Sequence, residues 1–179
     1  FYGRDGGLRA AGGARAALRA VSVTTAATGG NAVVSYGEGT AVSVTDSTVS
    51  TTGDHSGGIH VTGGGELTAW NVDVETQGNS SAAIRSDRGG GTLTVEDGSY
   101  VTNGTGSPAI YSTAQIAVTN AVLTANHSEA IVVEGRNSVP LTDCTASGNM
   151  TGTYGPDRGE HLPGVVLYPR LSGDAQEGQ

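Results

Sequence analysis

The chain contains no lysine: all nine basic residues among its 179 are Arg, set against 17 Asp and Glu. Without lysine there is no Schiff-base chemistry, no phosphate-binding P-loop lysine and no Lys–Asn isopeptide crosslink. The net charge of −8 has the wrong sign for a polyanionic backbone, which argues against a nucleic-acid partner. A single Cys leaves no intrachain disulfide framework. Hydrophobic runs of four or five residues are too short to span a membrane. Aromatics make up only 4% of the chain, and the 36% that is apolar is mostly small: Val, Ala and Ile. A thick Leu/Phe core cannot be built from this composition. A thin core repeated many times can.

Glycine is abundant, at 30 residues, and it falls at regular joints. A small residue followed by an aliphatic one recurs at Gly7-Leu8, Ala32-Val33, Gly58-Ile59, Ala83-Ile84, Ala109-Ile110, Ala130-Ile131 and Gly164-Val165. The intervals are 25, 26, 25, 26, 21 and 34 residues, the last stretched by the loop from Gly148 to Leu162. A period in the twenties with Gly/Asn/Thr-rich joints points to a solenoid.

Three short stretches in each unit alternate with period 2, the strand signal. Inward positions of the first stretch read Val33, Ile59, Ile84, Ile110, Ile131 and Val165. The second stretch offers pairs such as Leu67/Ala69 and Ile116/Val118. The third offers Val72/Val74, Gly98/Tyr100, Ala121/Leu123 and Cys144/Ala146. Between the second and third stretches lies a column of short residues: Ala20, Asp46, Asn71, Asp97, Asn120 and Asp143. Short polar side chains suit a tight corner, because they bond nearby backbone and tolerate unusual φ. The expectation is an all-β, parallel β-helix of about six coils with three short strands each, forming one domain over residues 1–179. Strands ~4.8 Å apart make that a rod roughly 29 Å long. For residues 8–21 the alternative is an amphipathic cap helix, with Ala14, Ala17, Leu18 and Val21 on one side.

Gly91-Thr-Leu-Thr-Val-Glu-Asp-Gly-Ser-Tyr100, Ser107-Pro-Ala-Ile-Tyr-Ser-Thr113, Ser128-Glu-Ala-Ile-Val-Val-Glu-Gly135 and Leu171-Ser-Gly-Asp-Ala175 resemble the right-handed β-helix repeats of bacterial cell-surface proteins. These are adhesin-like members of the pectin-lyase-like class, and the resemblance covers roughly residues 58–175. It implies a right-handed coil, display outside a bacterial cell, and a stalk-like or carbohydrate-contacting role. It supplies no catalytic residues. The right hand also follows the general preference of parallel crossovers. The unfinished coil starting at Val165 reads as an open edge, to be covered by an adjoining segment of a longer surface protein or by a partner.

Outward positions of the first stretch bring Tyr36, His60, Arg85, Asp87, Tyr111 and Glu134 onto one face within a few coils. Aromatic platforms beside guanidinium and carboxylate groups suit a glycan, such as one on a host surface, so these six are the candidate ligand contacts. The bland alternative is a solvated face with weak Arg–Asp pairs. A polysaccharide lyase- or hydrolase-like enzyme, or its degenerate relative, is the runner-up, with Asp87 and Glu134 as its carboxylates roughly 9.6 Å apart by strand spacing, and a purely structural repeat is the second alternative. The Asn-Thr-Asp, Asp-Asp and His-Gly signatures of β-helix pectin hydrolases are absent.

No cofactor and no metal site is expected, because His55, His60, His127, His161 and Cys144 lack ligand spacing. Cys144 reads as a buried small hydrophobe. Trp70, the only Trp, is placed outward. Trp70, Glu96 and Pro140 interrupt the Thr array of the second stretch, which argues against ice binding.

Overall fold

The computed structural model describes residues 6–150 and 164–168. Among these there is no helix, and the strands stack as a parallel β-solenoid of about six turns. The first coil holds β1 (Leu8–Ala11), β2 (Arg15–Arg19) and β3 (Ser22–Thr25). The next two hold β4 (Val33–Tyr36) with β5 (Ala41–Thr51), and β6 (Ile59–Thr62) with β7 (Gly65–Thr76). Then follow β8 (Ile84–Ser86), β9 (Gly91–Glu96) and β10 (Ser99–Thr102), and after them β11 (Ile110–Ser112), β12 (Gln115–Thr119) and β13 (Val122–Ala125). The sixth coil is β14 (Ile131–Glu134), β15 (Leu141–Thr142) and β16 (Thr145–Gly148), and β17 (Val165–Tyr168) begins another.

Residues 8–21 take the coil rather than the cap helix. Gly12 and Gly13, both at positive φ, turn the chain between β1 and β2 where a helix would have to continue. The first stretches form one sheet in the order β1-β4-β6-β8-β11-β14-β17, every pair parallel. The register matches the period: Leu8, Val33, Ile59, Ile84, Ile110, Ile131 and Val165 are successive partners.

The second and third stretches share a single sheet, and in β5 and β7 they run on as one strand. The three-strand coil is thus a two-strand coil there, with a bend inside the longer strand. The bend is the corner column. Ala20, Asp46, Asn71, Asp97, Asn120 and Asp143 all have φ between 48° and 60°. One left-handed residue turns the chain sharply without breaking the ladder on either side. Asn71 Nδ2 donates to Asp46 Oδ1 at 2.9 Å, and Asn120 Nδ2 donates to Asp97 Oδ1. Asn and Asp therefore suit the column twice, through their tolerance of this conformation and through stacked amide–carboxylate bonds.

A second column fixes the corner after the third stretch. Thr25, Thr51, Thr76 and Thr102 each donate their buried hydroxyl to the carbonyl five residues on. Ser56, Ser81 and Ser107 link coil to coil: Ser56 N donates to Ser81 Oγ and Ser81 N to Ser107 Oγ, both at 2.9 Å. Each buried hydroxyl is satisfied by backbone, so this polar ladder avoids the cost of unpaired burial.

Inside lies one continuous thin core: Ile59, Leu67, Ile84, Leu93, Ile110, Ile116, Tyr100 and Leu123 are completely or almost completely buried. Tyr100 stands where the neighbouring coils carry Val74 and Leu123, and its hydroxyl donates to the Asp97 carbonyl at 3.5 Å. At the ends the core thins. Leu8, Ala16, Leu18 and Val23 at one end, and Val139 and Cys144 at the other, are only partly covered. Cys144 points inward as expected but is half-buried rather than enclosed, because β15 and β16 have a neighbour on one side only among the described strands.

The stacked backbone leaves some glycines no room for a side chain. Gly98 has a φ of +101°, and a Cβ there would lie 2.1 Å from the Val72 carbonyl oxygen. Gly12, at φ +67°, has nothing within 4 Å. Gly98→Ala is expected to destabilise by about 3 kcal/mol or more. Gly12→Ala should cost only the left-handed penalty of roughly 1 kcal/mol. Denaturant midpoints of the two variants measure the difference, and equal losses would contradict the stacking of coils at Gly98.

Candidate functional site

The first-stretch sheet carries the candidate residues where the alternation places them. Arg9, Val34, His60, Arg85, Tyr111 and Val132 form one outward row in register across the strands. Tyr36 ends β4, Asp87 directly follows β8, and Glu134 ends β14, two strands beyond β8.

What differs from an open sugar platform is exposure. His60 is completely buried, and Val34, Thr62, Asp87, Thr113, Val132 and Glu134 are buried as well. Arg85, Tyr36 and Tyr111 are half-buried. A solvated outer face of weakly paired charges is likewise not what this sheet presents. Strand alternation says which way a side chain points, not whether that side is covered.

Three of the six residues come together as a compact charged cluster. Arg85 Nε donates to Asp87 Oδ2 at 2.8 Å. The guanidinium also reaches the His55 carbonyl, Nη1 to O, at 3.4 Å. Its aliphatic stem lies against Gly57, where a Cβ would meet Arg85 Cδ at 2.9 Å. His60 Nε2 sits 3.2 Å from Asp87 Oδ2. That contact is close but poorly aligned, so both imidazole nitrogens are buried without a well-formed hydrogen bond. Tyr36 belongs to a separate contact, with the Arg9 guanidinium 4.8 Å from its ring centroid.

Burial disfavours the charged imidazole and holds His60 below its ordinary 6.5, with Arg85 adding to the effect and Asp87 opposing it. Burial alone would raise Asp87. The His60 contact and the Arg85 charge outweigh it, and the carboxyl stays below its ordinary 3.8. At neutral pH the cluster is a neutral imidazole beside an Asp⁻–Arg⁺ pair. Breaking such a pair leaves a buried charge uncompensated, which costs about 3 kcal/mol where one partner is partly exposed.

Sequence reasoning missed Glu129. It is buried at the start of the β14 turn, where Ser128 Oγ donates to its Oε2 at 2.8 Å. Its carboxylate sits where earlier coils carry Gly57, Ala82 and Pro108, so no repeat signal marks it. His55 and His127 are exposed corner residues, as expected, and His161 lies outside the described residues. Among the described residues no group of three or more His, Cys, Asp and Glu is placed to hold a metal ion. No described helix is long and apolar enough to cross a membrane. Trp70 points outward on β7 with 45% of its surface exposed. Compared with family models, with curated proteins and with solved structures, the chain matches none.

The cluster makes stability depend on pH. The folded chain favours neutral His60, so that contribution is complete above about pH 6.5 and is lost as pH falls below it. The Asp87 contribution is complete above about pH 3.8 and is lost below that value. The thermal midpoint should therefore fall between about pH 7 and pH 5 and fall again below about pH 4. His60→Gln should flatten the first fall and keep the second. An unchanged first fall in that variant would show that another group causes it.

Proposed function

We propose that the chain is a non-enzymatic, extracellular β-helical module of a bacterial surface protein, serving as stalk or adhesin and contacting glycans. The observation that supports it best is the use of polar groups. On the first-stretch face His60, Arg85 and Asp87 are engaged with one another, and the corner residues bond from coil to coil. Such groups hold a rod together rather than wait for a reacting substrate. On that face the half-buried Tyr36, Tyr111 and Arg85 are the groups within reach of a sugar, with His60 and Asp87 buried against Arg85 and Glu134 buried at the end of β14. The resemblance of the repeats to adhesin-like β-helices points the same way, to a cell-surface location and to adjoining segments or host glycans as partners.

A polysaccharide-cleaving role for Asp87 and Glu134 has less support. Asp87 is held ionised by a guanidinium and is a weak proton donor at neutral pH. Glu134 ends β14, two strands beyond β8, on a separate coil from Asp87.

A glycan array with the wild type and Tyr111→Ala tests the proposal. Binding weakened about tenfold in the variant would place the contact on the first-stretch face. Binding unchanged would keep the adhesin and move its site. No binding across a broad array would leave the purely structural stalk.

A further inference from the structure

We infer that Trp70 is the platform of a site for a sugar bearing a free amine, on the outward face of the second-stretch sheet. This rests on the glycan-contacting reading above and adds a second face to it. Trp70 is the one exposed aromatic side chain among the described residues. Its register partners are Thr45 on β5 and Glu96 on β9, each one strand spacing away. Along β7 the same face carries Thr68 and Glu66. Glu66 and Glu96 are exposed, and neither makes a hydrogen bond or ion pair among the described residues. The corner carboxylates beside Trp70, Asp46 and Asp97, are already taken by Asn71 and Asn120. The cation in the same column, Arg19, lies 3.8 Å from Asp46.

The free carboxylate beside the indole is therefore Glu96, with Glu66 four residues back along β7 and the cations Arg15 and Arg19 two strands away on β2. An ammonium group gains there twice, from the indole face and from Glu96. Uronic and sialic acids would be repelled. The ligand is a sugar rather than a peptide for geometric reasons. A pyranose stacks its flat C–H face on an indole while flanking hydroxyls bond its rim. Peptides dock in grooves or on open strand edges. Trp70 instead lies on the face of β7, both of whose edges are paired.

Trp70 is the only Trp, so indole emission excited beyond the absorption of the six tyrosines reports this site alone. The experiment titrates the whole chain with glucosamine oligomers and with their N-acetylated counterparts. A saturable emission change is expected with the amine form, about tenfold tighter than with the acetylated form. Glu96→Gln should weaken it about tenfold, and added salt should weaken it too. Calorimetry on Trp70→Ala should show binding lost with the unfolding midpoint unchanged, as suits an exposed side chain.

Equal binding of both sugars would overturn the amine and leave a glycan module. Sugar binding that survives Trp70→Ala would overturn the site and leave the module. A response to an arginine-rich peptide without one to sugar would overturn the proposal and give the surface to a protein partner. No glycan binding of any kind would overturn both readings.

Discussion

Every other feature depends on the parallel ladder between one coil and the next. A residue and its equivalent about 25 positions on must sit one strand spacing apart, with the same backbone conformation, or the ladder breaks. This constraint explains the columns. A left-handed residue in one coil requires a left-handed residue in the next, so Asp46, Asn71, Asp97, Asn120 and Asp143 recur at one corner. A buried hydroxyl in one coil finds its partner in the neighbouring coil, so Ser56, Ser81 and Ser107 form a chain. The core stays thin because each coil can bury its inward side chains only against its two neighbours.

The charged cluster shows what the ladder allows. Register sets His60, Arg85 and Tyr111 side by side at spacings the side chains did not choose. The Asp87 carboxylate then answers both the guanidinium and the imidazole, and Gly57 leaves room for the arginine stem. A buried ion pair stabilises little in net terms and strongly penalises the loss of either partner. The pair itself lies within one coil, and the His60–Asp87 contact and the Arg85 bond to the His55 carbonyl tie it to the coil before. The groups on this face with the most chemistry are those that hold the sheet together, which is why an uncommitted aromatic on the opposite sheet is the more open surface.

The repeat, the inward register and the corner column were all legible in the sequence, because strict spacing turns single residues into columns. Ile84 alone says little. Ile59, Ile84 and Ile110 at equal intervals specify a face. The fusion of strands in β5 and β7 was not legible, since a lone left-handed Asp or Asn reads as a break in sequence but bends the strand without ending it. The burial of His60 and Asp87 was hidden for a different reason. Period 2 assigns a side chain to one side of a sheet, and nothing in it records what lies over that side. Cys144 illustrates the same point, where an inward position in the sixth coil has, among the described strands, only one of the two neighbours that enclose its equivalents.

The same ladder gives the rod an unusual response to load. Its backbone hydrogen bonds run along the long axis, so tension applied end to end acts on successive coils in series. The half-covered outer coils, where Leu18 and Leu141 face partly into solvent, give way before the middle ones. Each coil that opens frees about 25 residues, which extend to roughly 80 Å, more than twice the ~29 Å of the folded stack. A stack of this construction is also a store of length, with about 25 residues held in each turn.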